Sequence, residues 1–272
     1  MTYATKLTRT APWVGAVLMI PSLIMLSQAA QAQSDEEKGL QIAIEADSRN
    51  NGFGDTEATM KMVLRNKQGK ESIRHIRSKT LEVEGDGDKS MTIFDEPRDV
   101  KGTASLTYSH ATKPDEQWLY LPALKRVKRI SSKNKSGPFM GSEFAFEDIS
   151  SQEVDKYKYK YLRDDELDGR PVFVVETYPQ YKNSGYKRLI TYVDQSEYYT
   201  LKTEFYDRKD SLLKTLVFSD YQQYLDKFWR AHTMHMENHQ SGKSTTLTWD
   251  DYKFQTGLKP SDFNSKALQR LR

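Results

Sequence analysis

His232, His235 and His239 hold most of the histidine of this chain in one short stretch. On a β-strand, His235, Glu237 and His239 share a face and could present metal ligands, because alternate side chains point the same way. No further clustered ligand accompanies them, so a polar strand face is the plainer expectation and no metal is expected. Ser241-Gly242-Lys243-Ser244-Thr245 imitates the end of a phosphate-binding loop. That motif needs a glycine where Glu237 stands and a helix after it; a hairpin turn fits better. Glu82, Glu84, Asp86 and Asp88 form an acidic turn. A calcium loop needs oxygen ligands at set steps and a closing bidentate acid, which Lys89 and the short turn do not offer. A solvated turn is expected. Asp164-Asp165 and Asp250-Asp251 are adjacent, so on strands the carboxylates of each pair point to opposite faces and cannot share acid and base duties. There is no G-x-S-x-G elbow, and His75 and His110 form no triad with the scattered serines. The chain has no cysteine, which excludes a thiolate nucleophile, a Cys-ligated metal and a disulfide framework. Neither catalysis nor a cofactor is expected.

Two segments carry chemistry of another kind. Residues 124–135 (LKRVKRISSKNK) hold six basic side chains. In an exported protein they suit an anionic lipid headgroup or an acidic partner surface, or they are a solvated strand face. Residues 137–146 (GPFMGSEFAF) set three phenylalanines and a methionine between two glycines. Loops are usually polar. This one is either a fixed part of the core or a lid over an apolar cavity, with core slightly favoured.

The elements that would position these residues follow from periodicity. Residues 35–49 read as a helix: acids crowd its start, where the helix dipole favours them, and Asn50-Asn51-Gly52 ends it. Leu40, Ala43, Ile44 and Asp47 share a narrow stripe. From residue 56 the period changes to two. Strands are expected near 56–64, 71–84, 90–94, 105–110, 117–121, 156–162, 172–177, 187–193, 198–206, 212–219, 231–238 and 244–251, with Asp168-Gly169 a strong hairpin signal. The tail from Gly257 reads as a short helix capped by Ser261 and anchored by Phe263, Leu268 and Leu271. An antiparallel meander this long must close, fold on itself or be covered. The fold class is mainly β (α+β): a strongly curved antiparallel sheet whose concave side is covered by helix and loop, or by a ligand.

The chain has 272 residues with a mean hydropathy of −0.78, which excludes a multi-span membrane protein. Residues 1–32 read as a secretory signal. Lys6 and Arg9 precede an apolar stretch from Trp13 to Leu26, and Ala30-Gln31-Ala32 is a cleavage site. One domain, 33–272, is expected in the periplasm. Residues 1–32 contain two bases and no acid, so the remainder is nearly balanced in charge and no nucleic-acid partner is expected.

Trp118-Leu119-Tyr120-Leu121-Pro122-Ala123-Leu124-Lys125-Arg126-Val127-Lys128-Arg129-Ile130, then Phe139-Met140-Gly141-Ser142 and Glu147-Asp148, resembles the signature of the LolA-like outer membrane lipoprotein-sorting family. Phe94 to Thr103 (FDEPRDVKGT) fits the same pattern, and the likeness extends from about Gly39 to Leu271. The resemblance implies an unclosed, LolA/LolB-like β-barrel with helices covering its concave face, a monomer that binds acyl chains of lipid or lipoprotein. It further implies a periplasmic carrier working beside an RND-type (MMPL-like) inner-membrane exporter. The alternative is an RseB-like sensor or adaptor that binds a membrane-protein partner without transporting cargo. On this reading the expected cavity and lid residues are Met60, Met62, Trp118, Tyr120, Phe139, Met140, Phe144 and Phe146. Methionine suits varied ligand shapes. Lys125, Arg126, Lys128 and Arg129 are the expected headgroup or partner contacts.

Overall fold

A computed structural model of the chain describes residues 1–3 and 33–270. The expected signal elements at 4–32, with Lys6, Arg9 and the cleavage site, and the anchor Leu271 lie outside the described residues. Residues Gln33–Arg272 form one compact unit.

Helix α1 (Asp35–Asn50) opens this unit. Its capping box is complete: Ser34 Oγ accepts from the Glu37 amide at 3.1 Å, and Glu37 Oε2 accepts from the Ser34 amide at 3.1 Å. The thirteen strands are β1 (Asp55–Arg65), β2 (Glu71–Leu81), β3 (Lys89–Glu96), β4 (Ala104–Tyr108), β5 (Glu116–Leu121), β6 (Arg126–Ile130), β7 (Tyr157–Leu167), β8 (Arg170–Pro179), β9 (Tyr186–Asp194), β10 (Thr200–Asp207), β11 (Leu212–Tyr224), β12 (Phe228–Asn238) and β13 (Lys243–Phe254). They make one antiparallel sheet in the order β6-β5-β4-β3-β2-β1-β13-β12-β11-β10-β9-β8-β7. The edges β6 and β7 do not pair with each other, so the barrel is unclosed.

Register carries one apolar stripe across the inner face. Phe94 faces Ile76, Ile76 faces Met60, and Met60 faces Trp249. In the next row Met62 faces Leu247, Leu247 faces Met234, and Met234 faces Phe218. Directly opposed pairs of this kind are the unit of sheet stabilisation.

Among the described residues, one α-helix, α1, and short 3₁₀ turns cover the concave side, in line with the expected helix and loop. Two details differ from the sequence expectations. The basic run contains a strand, β6, which periodicity left inside the break at 122–149. The tail is not a capped helix. It forms two 3₁₀ turns, Pro260–Asp262 and Ala267–Arg270, and Asp262, not Ser261, accepts from the Lys259 amide at 2.8 Å. Phe263 and Leu268 are nonetheless fully buried, against Met91, Ile93, Ala104 and Leu106 on the outer face.

Two glycines are fixed by geometry. Gly39 lets α1 lie directly on β7: a Cβ there would meet Tyr161 N at 2.7 Å. Gly102, at φ +78°, closes the turn after β3, where its amide donates to Phe94 O at 2.8 Å.

Candidate binding cavity

The segment from Ser131 to Lys156 joins the two unpaired edges, and it runs across the inner face. Phe139 and Phe144 drive it inward, at 2% and 4% exposure. Phe139 packs on Phe94 and edge-on to Phe146, with ring centroids 6.0 and 5.4 Å away. A tight knot holds the pair: the Phe139 amide donates to Phe144 O at 2.6 Å, and Ser142 Oγ donates to Phe139 O at 2.7 Å.

Polar ties pin the segment to the sheet. Arg74 donates to Met140 O at 2.5 Å. Lys214 Nζ donates to Glu143 O at 2.8 Å and to Asp148 Oδ2 at 2.6 Å. Tyr186 OH donates to the other Asp148 oxygen at 2.7 Å. Glu147 accepts from Tyr181, Ser184 and the Gly185 amide. Burial pushes Glu147 above the usual carboxylate range, against those bonds. At the two ends of the segment, Lys135 and Lys156 both donate to Asp115, which sits between β4 and β5. A buried segment whose polar groups are satisfied in this way is a plug.

Plug, α1 and inner face line a cavity of about 1720 Å³ that is open to solvent. Pockets for a drug-sized ligand are about 300–1,000 Å³, so there is room for something longer. The apolar wall includes Met60, Met62, Phe139, Phe144, Met234 and Trp249. Leu40 and Ile44, one turn apart on α1, face it while 39% and 43% exposed. Trp249 Nε1 is a buried donor with no partner among the described residues.

The polar wall gathers where the turn between β2 and β3, the end of the plug and the last turns of α1 converge. Asp86 accepts from His110 Nδ1 at 2.7 Å and is held down at about 2. Asp88 is pushed up to about 7, first by burial and then by the neighbouring Glu153 carboxylate. Burial also raises Glu153, with Lys156 opposing. Arg230 lies opposite, donating to Asn50 Oδ1 at 2.7 Å and to Trp229 O at 2.9 Å.

The expected lining residues divide. Met60, Met62, Phe139 and Phe144 line the cavity. Met140 and Phe146 pack behind them in the plug's own core. Trp118 and Tyr120 are elsewhere: strand alternation turns Gln117 inward, where its Nε2 donates to Phe146 O at 2.8 Å. The two aromatics therefore face outward with Tyr108 and the tail. Lys125, Arg126, Lys128 and Arg129 are exposed at the β6 edge, away from the cavity lining. Arg129 is paired with Glu116.

Sequence reasoning missed Asp88, Glu153 and Arg230. The acidic turn expected to be solvated has its Asp88 side chain half-buried. On β12, His235 bonds Thr246 and His239 bonds Thr215, and among the described residues no cluster could hold a metal. No described helix is long and apolar enough to cross a membrane.

Known proteins place these features in context. A family model described as that of an uncharacterized protein matches residues 86–270. A crystal structure of an outer membrane lipoprotein-sorting protein domain from Vibrio parahaemolyticus is 60% identical, with TM-score 0.85, covering 86% of this chain and 100% of that one. A DUF1329 family protein from Desulfovibrio piger is 29% identical, with TM-score 0.82, covering 86% and 99%. A LolA superfamily protein from Nitrosomonas europaea shares the fold at 21% identity and TM-score 0.67, covering 83% and 97%. No curated protein matches the chain.

Proposed function

The chain belongs to the LolA-like outer membrane lipoprotein-sorting family, and we propose that it is a periplasmic carrier that holds acyl chains in the cavity between α1, the plug and the inner face. One observation carries this reading. Leu40 and Ile44 stand 39% and 43% exposed on the wall of a cavity of about 1720 Å³, on a helix whose opposite side is docked through Gly39 and Ile42. Covering apolar surface with an acyl chain is favourable by about 0.8 kcal/mol per CH₂, so such a wall has a strong physical preference for a chain over water.

Met60, Met62 and Met234 give that wall adaptable side chains, which suits a carrier of chains of varied shape. Binding and release, with no bond made or broken, is the whole of the proposed activity. Within it, Phe139 and Phe144 are fixed wall, and opening falls to the rim around α1. The exposed Lys125, Arg126 and Lys128 at the unpaired β6 edge are the proposed contact with an inner-membrane RND-type exporter. An exposed patch of like charge steers a partner surface of opposite charge toward it.

Native mass spectrometry of residues 33–272, purified gently from a periplasmic extract, tests the carrier reading. Extra mass that organic solvent removes as an acyl lipid is the expected result. A bare mass that persists after incubation with lipids and a lipoprotein would replace the carrier with the sensor or adaptor.

A further inference from the structure

We infer that the cargo's polar end is cationic, an amphiphile with an ammonium-bearing head rather than an acidic one. This inference rests on the carrier reading and specifies the ligand of the same cavity. It is carried by two features of the wall that act in the same direction.

The first is charge. Asp47 on α1, Glu82 and Asp88 around the turn between β2 and β3, and Glu153 at the end of the plug all line the cavity. They come from separate elements, yet they feel one another: Glu153 and Glu82 both act on Asp88, and Asp47 and Asp86 act on Glu153. Glu82 accepts from the Gly52 and Gly54 amides, at 2.6 and 2.7 Å. Asp86 accepts a hydrogen bond from His110 Nδ1. Among the described residues, Asp88 and Glu153 have no side-chain cation in bonding contact, and burial with the neighbouring Glu153 carboxylate holds Asp88 at about 7. An ammonium arriving between them would relieve that repulsion, whereas a phosphate or sulfate head would add to it.

The second is the aromatic surface. Tyr221, Trp229, Trp249 and Tyr252 line the same cavity. Ring faces attract cations, and a set of them beside carboxylates is the chemistry that recognises ammonium groups. The protein already uses this attraction here. The Arg230 guanidinium sits 5.4, 5.5 and 5.8 Å from the ring centroids of Phe53, Phe254 and Phe228.

Arg230 is the natural objection, since a guanidinium could hold an anionic head. Its Nη1 donates to Asn50 and to Trp229 O, and its charge acts on Asp88 and Glu82. An acidic head reaching its remaining donors would have to approach those carboxylates as well.

The test uses three amphiphiles with the same twelve-carbon chain, below their micelle-forming concentrations: dodecyltrimethylammonium, dodecyl maltoside and dodecyl sulfate. Each displaces a fluorescent acyl probe from residues 33–272 at neutral pH. The ammonium compound is expected to displace at a concentration at least tenfold below the sulfate, with the maltoside between them. Asp88→Asn combined with Glu153→Gln is expected to narrow that gap severalfold. Equal displacement by all three, or tighter binding of the sulfate, overturns the cationic head and leaves the carrier intact. Failure of all three, with no binding of the probe itself, overturns both.

Discussion

At one end of the inner face, Lys214 and Asp148 bury a charge pair with side chains only 4% and 5% exposed. At the other end, Leu40 and Ile44 remain 39% and 43% exposed on the cavity wall. The two regions follow opposite rules. The plugged end puts charges where water cannot reach and satisfies each of them. The open end leaves apolar surface uncovered and sets Asp88 and Glu153 beside one another with no cation in bonding contact among the described residues. The first arrangement is stable only if it does not move, because a buried charge that loses its partner is costly. The second is improved by anything that covers Leu40 and Ile44 and brings positive charge to Asp88. The difference teaches where motion belongs: the plug is scaffold, and the region around α1 is where a ligand is received.

Substitutions that treat the two ends alike would break this comparison. The largest effect is expected at Asp148→Ala, which strands the Lys214 ammonium and frees Tyr186; urea unfolding should show a loss of about 3–5 kcal/mol. Phe139→Ala removes the plug's main anchor against Phe94 and should cost about 3 kcal/mol in the same assay. A mobile lid would tolerate either change with little loss.

Asp88 sharpens the comparison through pH. The folded chain holds the Asp88 proton to about 7, while its ordinary value is 3.8. Between those values the folded state binds more protons than the unfolded one, so this group's contribution falls as pH rises through the window. Asp88→Asn should therefore stabilise the protein at pH 8, by on the order of 2 kcal/mol, and have no such effect at pH 4; thermal unfolding at both pH values checks it. Ile44→Ala acts on binding instead. It should leave stability within about 0.5 kcal/mol and weaken acyl-probe binding by about tenfold, read by fluorescence titration. Ser34→Ala is the smallest change: loss of the cap on α1 should cost about 1 kcal/mol.

Much of the scaffold was legible in the sequence. Alternation around Met60 and Met62, the Asp168-Gly169 turn and the capped acidic start of α1 are local signals, and local signals survive folding. β6 was hidden because Arg126, Lys128 and Arg129 read as surface whatever their backbone does. The tail misled because Leu268 and Leu271 have helical spacing, yet Phe263 and Leu268 are held by the sheet's outer face and not by a helix. Trp118 and Tyr120 showed which residues are apolar but not which face they take; the inward bond of Gln117 decides that. The polar half of the cavity was the least legible. Glu153 and Arg230 are far in sequence from each other and from the turn that holds Glu82 and Asp88, and only the curvature of the sheet brings the three places together.

Photo-crosslinking with a diazirine-bearing fatty acid, followed by peptide mapping of residues 33–272, tests the central claim most directly. Label on α1 around Leu40 and Ile44 and on β13 around Trp249 is the predicted result. Label confined to the β6 edge or to the outer face around Trp118, with α1 unmarked, would contradict a carrier that holds its chain in this cavity.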